Sequence, residues 1–155
     1  MNFSLEVGPQ TDLDTLPPVK DVYVTMLPGG DYKETANQSG ELVKKGFNPV
    51  PHFPARSITD DAQLKDYISR CKDVGAKQAL VIGGSRDPIG KFDSSIQILE
   101  TGFFDGIKIG IAGHPEGTQD MSDTKLEKAM IDKKPYADYI AVSYTHLTLP
   151  TSDLV

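Results

Sequence analysis

Phe3-Ser-Leu-Glu-Val7 is an apolar run with an acidic residue, Glu6, set inside it rather than on the loop that follows. Side chains alternate along a strand, so Phe3 and Leu5 share one face and Ser4 and Glu6 the other. Four more apolar runs each stop at a polar or glycine-rich cluster. Val22-Tyr-Val-Thr-Met-Leu27 carries Thr25 and ends in Pro-Gly-Gly. Pro49-Val-Pro-His-Phe-Pro-Ala-Arg56 carries His52. Ala79-Leu-Val-Ile-Gly-Gly-Ser85 leads to Arg86 and Asp87, and Ile107-Lys-Ile-Gly-Ile-Ala-Gly-His-Pro-Glu116 ends with His114 and Glu116. The ends of parallel strands in α/β proteins face a common side, so these groups are predicted to converge.

Helix-like segments separate most of the runs. Thr35 to Lys45 is closed by Gly46. Asp61 to Val74 has Leu64, Tyr67, Ile68 and Cys71 at helical spacing, with Thr59-Asp60 at its start and Gly75 at its end. Ser94 to Leu99 and Ser122 to Lys134 are the next two, and Tyr139-Ile-Ala-Val142 is a last strand. Repeated strand-then-helix order implies right-handed crossovers and a parallel sheet. An open doubly wound sheet would be complete at 155 residues. A (β/α)8 barrel takes about 250 residues. Glu6 within a strand suits a barrel mouth, and no early strand is followed by the glycine-rich phosphate turn of a doubly wound sheet. The expected fold is therefore α/β: a (β/α)8 TIM barrel of which only the first five to six βα units are present.

The 155 residues, 25% charged and 38% hydrophobic, suit one soluble domain with a real core. A net charge of −6 with no Lys/Arg cluster argues against a nucleic-acid surface. No apolar stretch approaches the roughly 20 residues of a membrane helix, and the N-terminus lacks a signal-peptide layout. The expectation is a cytoplasmic protein with no membrane partner. Cys71 alone can form no internal disulfide and reads as an inert thiol. Val142 to Val155 breaks the pattern, and Val142-Ser-Tyr-Thr-His-Leu147 resembles the translation of a transposon-end sequencing adaptor. Residues 1–141 are accordingly read as a partial barrel and 142–155 as a non-native tail; His146 is not taken as a site residue.

The clusters leave alternatives open. Glu6 is either a solvent-facing residue of an alternating strand or a desolvated acid fit for proton donation. His52 is either a packed core group or a catalytic one, and Arg56-Ser57 either holds a phosphate or caps the next helix. Gly83-Gly84-Ser85 lets a flat ligand or a phosphate approach the backbone, but it is neither a P-loop nor a dinucleotide fingerprint. A metal site could be drawn from Glu6, His52, His114 and Glu116, although no His-x-x-x-His pair supports it. A Gly-x-Ser-x-Gly nucleophile elbow is absent.

Taken together and in order, Phe3-Ser-Leu-Glu-Val7, Val22-Tyr-Val-Thr25, Val50-Pro-His-Phe-Pro-Ala-Arg-Ser-Ile58, Leu80-Val-Ile-Gly-Gly84, Gly90-Lys-Phe-Asp-Ser-Ser95 and Gly110-Ile-Ala-Gly-His-Pro-Glu-Gly117 resemble the methylenetetrahydrofolate reductase family, from the start to about Ala141. The resemblance implies FAD in a barrel, with hydride passing from NADH or NADPH to the flavin and on to 5,10-methylenetetrahydrofolate. Glu6 would be the general acid that helps open the folate's five-membered ring. Thr25, His52, Gly83, Gly84, Ser85, Ala112 and His114 would contact the cofactor, and a lysine at Lys133 or Lys134 its phosphates. Ser85 stands where many members carry an aspartate that tunes flavin and touches folate; Asp87 would replace it as the substrate contact. Thr118 stands where a histidine often follows the Pro-Glu motif. The sixth-strand substrate residues and the last strands are missing, so the resemblance implies an inactive part of an active parent. A homo-oligomer of that parent is compatible with it. The competing readings are a ligand-binding α/β fragment without chemistry and a metal-dependent barrel lyase or hydrolase.

Overall fold

A computed structural model describes residues 3–113 and 123–142. Six strands alternate with four helices: β1 (Leu5–Val7), β2 (Asp21–Val24), α1 (Tyr32–Lys44), β3 (Asn48–Pro54), α2 (Asp61–Asp73), β4 (Gln78–Ile82), α3 (Ser95–Leu99), β5 (Lys108–Gly113), α4 (Asp123–Lys133) and β6 (Tyr139–Val142). All five pairings are parallel and the strand order is the chain order, β1 to β6. A doubly wound sheet reverses its strand order part-way. Here it never reverses, and right-handed crossovers in one direction place every helix on the same face.

Local chemistry sets the element boundaries. The Asp31 carboxylate accepts from the Lys33 amide at 2.9 Å and starts α1 three residues before the predicted Thr35. Asp60 caps α2 in the same way, through the Gln63 amide at 2.8 Å. Gly46 and Gly75 follow α1 and α2 with φ of +89° and +99°, a left-handed conformation that closes a helix and suits glycine. β1 is shorter than its apolar run, because only Leu5, Glu6 and Val7 pair with β2, leaving Phe3 exposed.

One face of each strand meets the helices. Phe53, Val81 and Ile111 pack with Leu64, Tyr67, Ile68 and Ile98 in the larger core, and Val22 and Val24 join Leu42 in a smaller one. Tyr67 is fully buried; its ring stacks on Phe53 at 4.0 Å and its hydroxyl donates to the His52 carbonyl at 2.7 Å. At β6 this helix-side face is bare: Ile140 is 55% and Val142 42% exposed.

The other face is concave. β2 and β6 are four strands apart, about 19 Å in a flat sheet. Yet Tyr23 and Asp21 of β2 are close enough to the Tyr139 hydroxyl of β6 to raise its pKa, although burial is the larger cause. The sheet therefore curls. The direction of strand tilt follows as well. The paired rows run from Tyr139 through Gly110, Leu80 and His52 to the position of Thr25. In an eight-stranded barrel of shear 8, equal height shifts by one residue per strand. Four strands from Tyr139, equal height in β2 falls four residues before Thr25, at Asp21; Tyr139 interacts with Asp21 and, more strongly, with Tyr23 two residues further along. The observed architecture is thus α/β with a curled, all-parallel six-stranded sheet, consistent with part of a TIM-type barrel.

Candidate functional site

The same stagger gives the heights of the concave side chains. Glu6 pairs with Tyr23 and Tyr23 with Val50; two residues further along β3 stands His52. His52 pairs with Leu80 and Leu80 with Gly110; two residues further along β5 stands Ala112. With the stagger of an eight-stranded barrel, Glu6, His52 and Ala112, from alternate strands of the concave face, would share one level, as side chains of one barrel layer do. Thr25, just past β2, and Gly83, just past β4, lie at the rim where these strands end.

His52 is the buried member of this layer. It is 7% exposed, sits edge-on to Tyr23 with ring centroids 6.0 Å apart, and its Nε2 is buried without a partner. Burial pushes its pKa from 6.5 down to about 4, so the imidazole is neutral at pH 7. The packed reading of His52 describes the observed residue, except that its Nε2 has no partner. Glu6 is exposed on the free edge strand. The desolvation that would suit it to proton donation is not supplied by the described residues.

At the rim, the Thr25 hydroxyl donates to the Val7 carbonyl at 3.3 Å, and the Thr25 carbonyl accepts from Thr35 at 3.0 Å. The Gly83 carbonyl accepts from the Arg56 amide at 3.0 Å, and the Arg56 carbonyl accepts from Ile89, folding the loop after β4 against the end of β3. Gly84 has φ +98°, and a Cβ there would touch Pro54 and Arg56; a Cβ on Gly83 would meet nothing within 4 Å. Ser85 and Asp87 are exposed on this loop. Arg56 is engaged by Asp93, whose carbonyl accepts from its Nε at 2.9 Å, and Asp60 caps α2, so neither Arg56 nor Ser57 caps that helix.

Lys134 is not brought to this group. It lies between the end of α4 and the start of β6, at the opposite end of the strands from the rim, and is exposed. Its neighbour Lys133 is half-buried, and burial lowers its pKa. His114, Glu116 and Thr118 lie outside the described residues, as does the tail beyond Val142. Among the described residues, no three His, Cys, Asp or Glu side chains are grouped to hold a metal ion. None of their helices is long and apolar enough to cross a membrane. Cys71 is buried, which pushes its thiol pKa well up and keeps it from reacting.

No family model matches the chain. Among solved structures, the YdjI aldolase from Escherichia coli K12 is similar, with 13% sequence identity and a TM-score of 0.47 over 82% of this chain. The match covers 44% of the aldolase chain, so this chain spans less than half of that protein's length.

Two features were not singled out in the sequence. Tyr23 and Tyr139 occupy the concave face below the Glu6–His52–Ala112 layer. A cleft of about 370 Å³ lies beside the rim, lined by Gly8, Thr11, Leu27, Asp31, Glu34 and Thr35. The Pro28-Gly29-Gly30 turn, with φ +78° at Gly29, was its only sequence signal.

For a flavin, the fit rests on two observations: the neutral His52 with its unpaired Nε2, and the open backbone at Gly83. Together they offer a hydrogen-bonding atom and a flat approach; the same loop carries Arg86, whose Nε is buried without a partner.

Proposed function

We propose that the chain carries the flavin-binding half of a methylenetetrahydrofolate reductase: an FAD-dependent enzyme of one-carbon metabolism that takes hydride from NAD(P)H and converts 5,10-methylenetetrahydrofolate to 5-methyltetrahydrofolate. The complete enzyme is read as a (β/α)8 barrel. The observation that carries this reading is that Glu6, His52 and Ala112 share the concave face, with Thr25 and Gly83 at the strand ends above them. These residues come from five different strands or strand ends, and the family resemblance selects the same ones.

FAD, when bound, supplies the redox chemistry. His52 offers an uncharged hydrogen-bonding group to the ring. Gly83 and Gly84 keep side chains away from its face, and Thr25 borders it at the end of β2. Ser85 and Asp87 stand on the loop nearest to where the folate would lie, and Asp87 takes the place of the family's aspartate. Glu6 holds the proton that opens the five-membered ring of the substrate.

The test is reconstitution with FAD. Bound flavin with visible absorbance, reducible by NADH or NADPH, supports the reading; a colourless protein at saturating FAD refutes it. In a turnover-competent form, Glu6→Gln would leave flavin reduction by NAD(P)H intact and abolish folate reduction. Equal loss of both half-reactions would remove Glu6 from the acid role. The exposure of Glu6 favours a second reading for the chain as it stands, a ligand-binding α/β unit that does not turn over. Flavin binding without folate reduction is its signature.

A further inference from the structure

Tyr139 lies across β5. A Cβ on Gly110 would run into its ring, with the hydroxyl oxygen at 2.8 Å. Its paired position is Gly110, the one residue of that row with no side chain to lift it. From there it reaches over the concave face towards Tyr23, which is edge-on to His52. The Lys108 ammonium sits 5.5 Å from the ring centroid. The Tyr139 hydroxyl is buried and faces the Tyr23 hydroxyl, without a well-formed hydrogen bond to it. A poorly satisfied buried hydroxyl contributes little stability, so the packing of the ring over Gly110 is the stronger feature. Its ring fills the interior. Tyr23 is two residues before Thr25, about 7 Å below the rim along the strand.

We propose that Tyr139, laid flat by Gly110 and meeting Tyr23 from across the sheet, forms the floor of the concave site and sets the depth at which a planar ring seats. This makes Tyr139 a specificity-determining residue. The inference rests on the flavin reading above, but it assigns a residue that reading did not use. The floor is aromatic, with the Lys108 ammonium 5.5 Å from the Tyr139 ring centroid, and the layer above it contains neutral His52, so the seat suits a flat fused ring system.

The probe is riboflavin, which has the ring without the phosphates and so reports on the seat alone. Titration of this chain, followed by flavin fluorescence and the visible absorption band, is compared with Tyr139→Phe, Tyr139→Ala and Gly110→Ala. Tyr139→Phe keeps the floor and is expected to bind within about twofold of the parent chain with the same band position. Tyr139→Ala is expected to weaken binding at least about tenfold and to lose the band shift. Gly110→Ala forces the Tyr139 ring off β5 and is expected to weaken binding comparably; it serves if Tyr139→Ala does not fold. Riboflavin bound by the parent chain and equally by the folded Ala variants overturns the floor while leaving the flavin reading standing. Equal loss in Tyr139→Phe and Tyr139→Ala also overturns it, because the hydroxyl and not the ring would then be the determinant. No binding by the parent chain overturns both.

Discussion

Replacing His52 by Asn removes one titrating group from the buried layer and should flatten the acid limb of the stability curve. In the folded chain His52 has a pKa of about 4, against 6.5 when unfolded, because burial disfavours the charged ring. Between these values the unfolded chain binds the proton and the folded chain does not. Stability therefore rises with pH across this window and is lost as pH falls from about 7 towards 4. Integrating the two titrations from pH 7 to pH 5 gives a loss of about 2 kcal/mol from this one residue. Urea unfolding of both proteins at pH 7 and pH 5 measures it. Acidic side chains and the other histidines are common to both, so the difference between the two pH-dependent losses isolates His52. A loss in the parent chain that exceeds that of His52→Asn by about 2 kcal/mol is expected. Identical losses, or a His52 resonance that titrates near 6.5 in the folded chain, would refute the burial argument and with it the neutral character of the site.

Other perturbations test the frame that holds the layer. Tyr67→Phe removes the buried donor to the His52 carbonyl and should cost about 1–2 kcal/mol in chemical denaturation. Asp60→Ala should cost about 1 kcal/mol by leaving the first turn of α2 uncapped, and Asp60→Asn should restore most of it. Gly84→Ala, at φ +98°, should destabilise by about 1 kcal/mol or more. Gly83→Ala, with open space at its Cβ, should be nearly neutral in stability and reveal itself only in ring binding.

The alternation of strand and helix was legible because its signals are local. Asp60, Gly46 and Gly75 mark helix ends by chemistry that needs no tertiary partner, and the apolar spacing of Leu64, Tyr67, Ile68 and Cys71 is that of a buried helix face. The parity of Glu6 was equally readable, but its exposure was not, since that depends on what lies beyond the free edge of β1. The packed and the catalytic readings of His52 could not be separated because burial and an unpaired Nε2 occur together. Lys134 illustrates a different limit: the family resemblance marks it as a helical phosphate contact, and only the fold shows that the end of α4 lies away from the rim. Tyr139 was missed because its orientation depends on Gly110, a glycine that only strand pairing places beneath it.

The position of Glu6 on β1 separates two properties that enzymes usually show together. On the flavin reading, most groups that would grip a ring lie on β2 to β5, with Tyr139 of β6 beneath them, whereas the carboxyl group is exposed on β1. On that reading, affinity would depend on the concave face from β2 to β6, and reactivity on whatever shields β1. If the chain binds a flavin ring as proposed, ring occupancy and turnover would be independently adjustable: a change that covers β1 would alter rate with little effect on how tightly the ring is held.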